Sequence, residues 1–114
     1  MRRVLLEHCV PRRVRQALFG CESATAYQRG GAELKNGALL EAAERDGFDV
    51  LVTADKNLRY QQPLGHRRIA IVELPTNSLP ALLPYFTAIA DAVNQVGTGD
   101  YLELSFPEGI NSVL

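Results

Sequence analysis

The chain has 114 residues, 46% hydrophobic and 22% charged, which fits one ordinary folded domain and excludes a disordered segment. Its 12 Lys and Arg against 13 Asp and Glu leave a net charge of -1, so bulk charge alone does not point to a polyanion partner. Two cysteines, Cys9 and Cys21, are too few for a disulfide framework and lack metal-ligand spacing, and no apolar run approaches the ~20 residues that span a bilayer.

Arg3 to Leu6 reads as a short apolar strand. The basic start Met1-Arg2-Arg3 and the apolar run behind it end at Glu7-His8, too early for a signal peptide, so a cytoplasmic location and no membrane partner are expected. Pro11 can open a helix, because its missing N–H would be unpaired in a first turn anyway. Val10, Val14 and Leu18 then recur at helical spacing, and Gly20 suits the stop. Glu22 to Ala26 is a candidate strand, and Gly30-Gly31 marks a loop.

Asn36 to Asp46 reads as a helix with Leu39, Leu40 and Ala43 as its buried stripe and Gly47 as its stop. Asp49 to Thr53 is a continuous apolar strand, the kind found where helices cover both faces of a parallel sheet. Asn57 to Gln62 is a candidate helical turn, and Arg68 to Leu74 another strand. Pro75 to Ser78 forms a loop ending in an N-cap residue, and Leu79 to Val93 a long helix with Leu82, Phe86 and Ile89 on one side. Gly97 to Gly99 turns the chain, and Tyr101 to Phe106 alternates like an edge strand that could pair across a homodimer. One domain is expected through residue 106, with 107–114 as a tail.

Strands alternating with helices predict an α/β fold, a three-layer α/β/α sandwich with a mainly parallel central sheet. Ligands bind such sheets outside the carboxyl ends of the strands. That rule selects three loops, at Glu7-His8-Cys9, Thr53 to Asn57, and Thr76-Asn77-Ser78. Glu7 and Asp55 each follow a strand, and neighbouring carboxylates repel unless a proton or a cation sits between them. A hard divalent ion such as Mg²⁺ answers that repulsion and can activate water for phosphodiester hydrolysis. Asp55 alone is equally readable as a helix cap or a phosphate acceptor, and Asn36 as a plain N-cap.

The charges are distributed unevenly. All 12 Lys and Arg fall at or before Arg68, and the first fifteen residues hold five arginines against Glu7. Arg12 and Arg13 open the helix after Glu7 and, with Lys56 and Arg59, can grip phosphates at the rim. A solvated helix face explains the same charges. His8 is a candidate general base, Tyr60 a candidate base-stacking ring, and Asn57, Asn77, Glu33, Lys35 and Glu41 further polar candidates. No glycine-rich phosphate loop, Ser-His-Asp order or CxxC pair is present.

The segments "VLLEHCVPRRVRQAL" and "LKNGALLEAAERDGFDVLVTADKNLRYQQ" resemble the short bacterial PIN-like domains, relatives of the toxin ribonucleases of toxin–antitoxin pairs. Those domains carry a strand ending in Asp-Glu-Asn-x-Pro, a helix opened by Asp, and a strand ending in Thr-x-Asp. The likeness covers roughly residues 2 to 93, and "LVTADKNL" is its most specific piece. It implies an α/β/α domain with an acidic Mg²⁺ or Mn²⁺ site that cuts RNA, and a small DNA-binding antitoxin as partner.

Carried over position by position, the acids of the pattern fall on Glu7, Asn36 and Asp55. The resemblance thus implies Glu7 and Asp55 as catalytic and metal-holding, Asn36 as a further metal ligand, and Arg12, Arg13, Lys56, Asn57 and Asn77 as RNA contacts. Glu7 stands where the pattern has aspartate, His8-Cys9 where it has Glu-Asn, and Asn36 where it has an acid. Two alternatives remain open: a PIN-like module that binds RNA or protein without cutting, and a receiver-like phosphotransfer domain with Asp55 as acceptor.

Overall fold

A computed structural model describes residues 2–26, 36–56, 58 and 67–106. Among these residues five strands form one sheet: β1 Arg3–Leu6, β2 Glu22–Thr25, β3 Val50–Thr53, β4 Ala70–Glu73 and β5 Tyr101–Glu103. Their order is β2-β1-β3-β4-β5, and every pairing is parallel. The sheet is therefore wholly parallel where a mainly parallel one was expected. The strands are shorter than the apolar runs that announce them. The strands end at Thr25, Glu73 and Glu103, although the Ala26, Leu74 and Leu104 N–H groups still bond the carbonyls of Leu6, Thr53 and Glu73.

Apolar residues alternate between two faces, as the pleat requires. Val4, Leu6, Val50, Val52, Ala70 and Val72 share one core with Val14, Leu18, Leu82, Ile89 and Val93. Leu5, Leu51 and Ile71 share the other with Leu39, Leu40, Ala43 and Phe48. Helical segments thus cover both faces. This burial on both sides is why β1, β3 and β4 read as unbroken apolar runs.

The segment after Pro11 is helical but wound as a 3-10 helix, Arg12–Leu18. It buries Val14, Ala17 and Leu18 and exposes Arg12, Arg13 and Gln16. The long helix expected from Leu79 is three pieces: α2 Leu79–Leu82, a 3-10 turn Leu83–Tyr85, and α3 Phe86–Gln95. Pro84 supplies the reason, since it has no N–H for the carbonyl four residues back and its ring crowds that turn. Ser78 occupies the N-cap of α2, but its side chain makes no capping bond. Tyr85 then stacks on Phe106, with ring centroids 3.8 Å apart.

Helix α1, Asn36–Arg45, ends in a glycine stop. The Phe48 N–H bonds the Ala43 carbonyl at 3.0 Å and the Gly47 N–H bonds that of Glu44 at 3.1 Å, the paired reverse bonds of a Schellman ending. Gly47 has φ +84°, and a Cβ built there would meet the Arg3 guanidinium at 2.8 Å. Gly47→Ala is expected to destabilise the fold by about 1–2 kcal/mol, the cost of a left-handed L-residue, with urea unfolding as the measurement.

Arg3 ties this turn to the sheet. Its N–H bonds Asp49 Oδ2 at 2.9 Å, its side chain reaches Glu22 at 3.3 Å and the Asp46 carbonyl, and its guanidinium lies 4.6 Å over the Phe48 ring. Glu44 of α1 does the same for β4. It accepts from the Arg68 N–H at 2.7 Å, the Ile69 N–H at 3.1 Å and the Arg67 guanidinium at 3.1 Å. Burial pushes the Glu44 carboxyl up, but these three donors outweigh it and hold it below the usual carboxylate range. A carboxyl depressed on folding stabilises fully above its unfolded pKa, and that stability is lost as pH falls through the folded value. Glu44→Gln should therefore destabilise the protein at neutral pH. The gap to wild type should close as pH drops below the ordinary carboxylate range, as read from thermal melts across pH 2 to 7.

Candidate functional site

The strand order puts a topological switch point between β1 and β3. The connection after β1 packs its 3-10 helix on one face, and α1, which leads into β3, packs on the other. At such a point an open parallel sheet has its crevice, outside the carboxyl ends of the two strands.

Two acids flank that crevice. Glu7 follows β1, and its N–H continues the ladder to the Val52 carbonyl at 2.9 Å. Asp55 lies two residues past the end of β3. β1 and β3 pair directly, Leu6 opposite Val52, so the two strands that carry these acids are neighbours. The link between them is Thr53. Its hydroxyl donates to the Glu7 carboxylate, and its Oγ1 accepts the Asp55 N–H at 3.0 Å.

Glu7 is 6% exposed, although a carboxylate costs several kcal/mol to bury unless hydrogen-bonded. The Thr53 hydroxyl answers part of that cost, and the Cys9 thiol, 3.6 Å from Glu7 Oε1, adds a weaker donor. Burial pushes the Cys9 thiol up. Bonds from the Ala54 backbone and the Thr53 side chain pull against this, while the Glu7 charge adds to it, and the net shift is upward. The thiol therefore keeps its proton near neutral pH and can serve as that donor.

One further acid shares this face. Glu73 closes β4 opposite Thr53, is 2% exposed, and accepts a hydrogen bond from the Tyr101 hydroxyl. Glu7, Thr53 and Glu73 stand two residues on from Leu5, Leu51 and Ile71, so their side chains emerge on the α1 side. The sequence reading passed over Thr53 and Glu73 as site residues. The available signal was a polar residue closing an otherwise apolar strand, in "VLVT" and again in "AIVE".

The remaining candidates divide. Arg12 and Arg13 are exposed at the start of the 3-10 helix, just past the Glu7 turn, and Lys56 is exposed beside Asp55. Asn77 is exposed in the loop after β4, where the Thr76 hydroxyl accepts the Ser78 N–H at 3.1 Å. His8 is exposed, and Glu41 is exposed on α1. Asn36 opens α1 at the carboxyl side of the sheet, because α1 runs back to the amino end of β3; its side chain is outside the described set. Asn57, Arg59, Tyr60, Glu33 and Lys35 lie outside the described residues.

Among the described residues no group of three or more His, Cys, Asp or Glu side chains gathers closely enough to hold a metal ion. The two strand-end carboxylates match only the sparser requirement of Mg²⁺, which keeps several waters and takes one or two carboxylates. Also among the described residues, no helix is long and apolar enough to cross a membrane. Comparisons with protein-family models, curated proteins and solved structures find no match for this chain.

Thr53→Val keeps the shape of the side chain but leaves the buried Glu7 carboxylate and the Asp55 N–H without their shared partner. It is expected to cost about 1–3 kcal/mol in urea unfolding, whereas Thr53→Ser, which retains the hydroxyl, should cost clearly less.

Proposed function

We propose that this chain is a PIN-like α/β/α domain acting on RNA, a divalent-metal-dependent ribonuclease. The observation that carries the reading is the convergence on the Thr53 hydroxyl, at the ends of adjacent parallel strands, of the Glu7 carboxylate and the Asp55 backbone N–H. Together with the Thr-x-Asp ending of β3, this supports a phosphodiester-cleaving site over a lone helix cap.

In this reading Asp55 and Glu7 hold Mg²⁺ or Mn²⁺, with Asn36 as a neutral ligand from α1. Bound there, the ion supplies Lewis acidity and a water of lowered pKa. Thr53 keeps the Glu7 carboxylate oriented. Arg12, Arg13 and Lys56 grip backbone phosphates as they enter the rim, so they set affinity and its salt dependence and leave sequence preference to other groups. Asn77, in the loop after β4, is a neutral contact to the same strand.

A second reading is a PIN-like module that binds RNA without cutting it. It is favoured by the sparse acid set: no group of three acids is assembled among the described residues, and Glu7 Oε1 is already engaged by Thr53 and Cys9.

Labelled single-stranded RNA incubated with the purified chain separates the two. The nuclease reading expects cleavage with Mg²⁺ or Mn²⁺ and none with chelator. Asp55→Ala should slow it by at least about a hundredfold, the scale of losing one group that acts on the transition state. Retained binding by wild type and Asp55→Ala alike, with no cleavage under any metal, selects the module. Acid-labile labelling of Asp55 by a phosphodonor would replace both with phosphotransfer.

A further inference from the structure

The opposite end of the sheet holds a cleft of about 680 Å³. Arg2, Asp49, Arg68, Ile69 and Thr98 line it, each just before a strand, together with Phe48 and Glu44. It therefore opens at the amino ends of β1, β3, β4 and β5, away from Glu7 and Asp55.

The charges in this cleft are unequally answered. Parallel strands present unpaired N–H groups at their amino ends, and both acids of the cleft are spent on them. Asp49 Oδ2 accepts from the Arg3 N–H at 2.9 Å. Both oxygens of Glu44 are taken, one by the Arg67 guanidinium and the other by the Arg68 and Ile69 N–H groups. The Asp100 carboxylate, in the turn carrying Thr98, is folded onto the Gly97 N–H at 2.9 Å. Arg2 and Arg68, by contrast, have no ion pair or side-chain hydrogen bond among the described residues. Behind them, Arg67 Nε is sealed from solvent without a partner, and its Nη1 rests on the same Glu44.

Two guanidinium groups without an internal partner among the described residues line one cleft, and such groups can each grip a phosphate by two parallel hydrogen bonds. The volume is that of a small-molecule site, larger than one anion needs. We propose that this cleft binds a phosphate monoester of nucleotide size, with Arg2 and Arg68 on the phosphate and the Thr98 hydroxyl as an added donor. The phosphate can belong to a free nucleotide or to the 5′ end of an oligonucleotide.

Titration calorimetry of the full chain tests this with adenosine monophosphate, adenosine, and an oligoribonucleotide with and without a 5′-phosphate. Adenosine monophosphate or the 5′-phosphorylated oligonucleotide should bind at least about tenfold more tightly than its phosphate-free counterpart. The partner that does so identifies the source. The Arg2→Ala/Arg68→Ala double variant should lose that preference. Both side chains are free of internal bonds among the described residues, so circular dichroism and thermal melts of the variant should match wild type. Asp55→Ala should bind as wild type does, which separates this cleft from the carboxyl rim. Equal binding of phosphorylated and unphosphorylated forms, no binding of either at millimolar concentration, or a preference that survives the double variant would each overturn the proposal.

Discussion

The parallel pairing of β1 with β3 is the constraint on which the molecule depends. Leu5 faces Leu51 and Leu6 faces Val52 across this ladder, and all four are buried. Because β2 and β3 lie on opposite sides of β1, the chain must cover one face after β1 and the other before β3. That requirement creates both hydrophobic cores, and it leaves a crevice where the connections part. The residue at the end of each strand is carried to the rim by the same ladder. A one-residue slip would move Glu7 and Thr53 to opposite faces and dissolve their hydrogen bond.

The rim is costly to maintain. A buried carboxylate beside an apolar face is tolerated because Thr53 and Cys9 hand it donors, and Cys9 can do so because burial and the carboxylate itself keep the thiol protonated. Glu73, which accepts from the Tyr101 hydroxyl, repeats the device two strands away. The amino end uses the reverse solution. There Asp49 and Glu44 accept hydrogen bonds from strand N–H groups, while the Arg2 and Arg68 side chains have no partner among the described residues.

Much of the fold was legible in the sequence. The apolar runs at residues 3–6, 49–53 and 68–74 marked three strands, Gly47 marked the end of α1, and the turn at 97–99 announced the last strand. Legibility failed where a local pattern has two geometric outcomes. Val10, Val14 and Leu18 fit an α-helix, but the segment closes as a 3-10 helix. Leu79 to Val93 has one apolar stripe, yet Pro84 breaks its hydrogen bonding into three pieces. The site was half legible: Glu7 and Asp55 stood out as acids ending apolar runs, whereas Thr53 and Glu73 were absorbed into strands that looked like core.

By itself the sequence determined that this chain folds as α/β, that its strands are buried on both faces, and that carboxylates follow two of them. Those conclusions rest on periodicity and residue type, which are local. Only the tertiary structure decided which strands are neighbours, that one threonine hydroxyl bonds both the Glu7 carboxylate and the Asp55 N–H, and that Arg2 and Arg68 line one cleft. These depend on sheet order and register, which bring together residues 46 to 66 positions apart. No local pattern encodes which distant strand a given strand will choose.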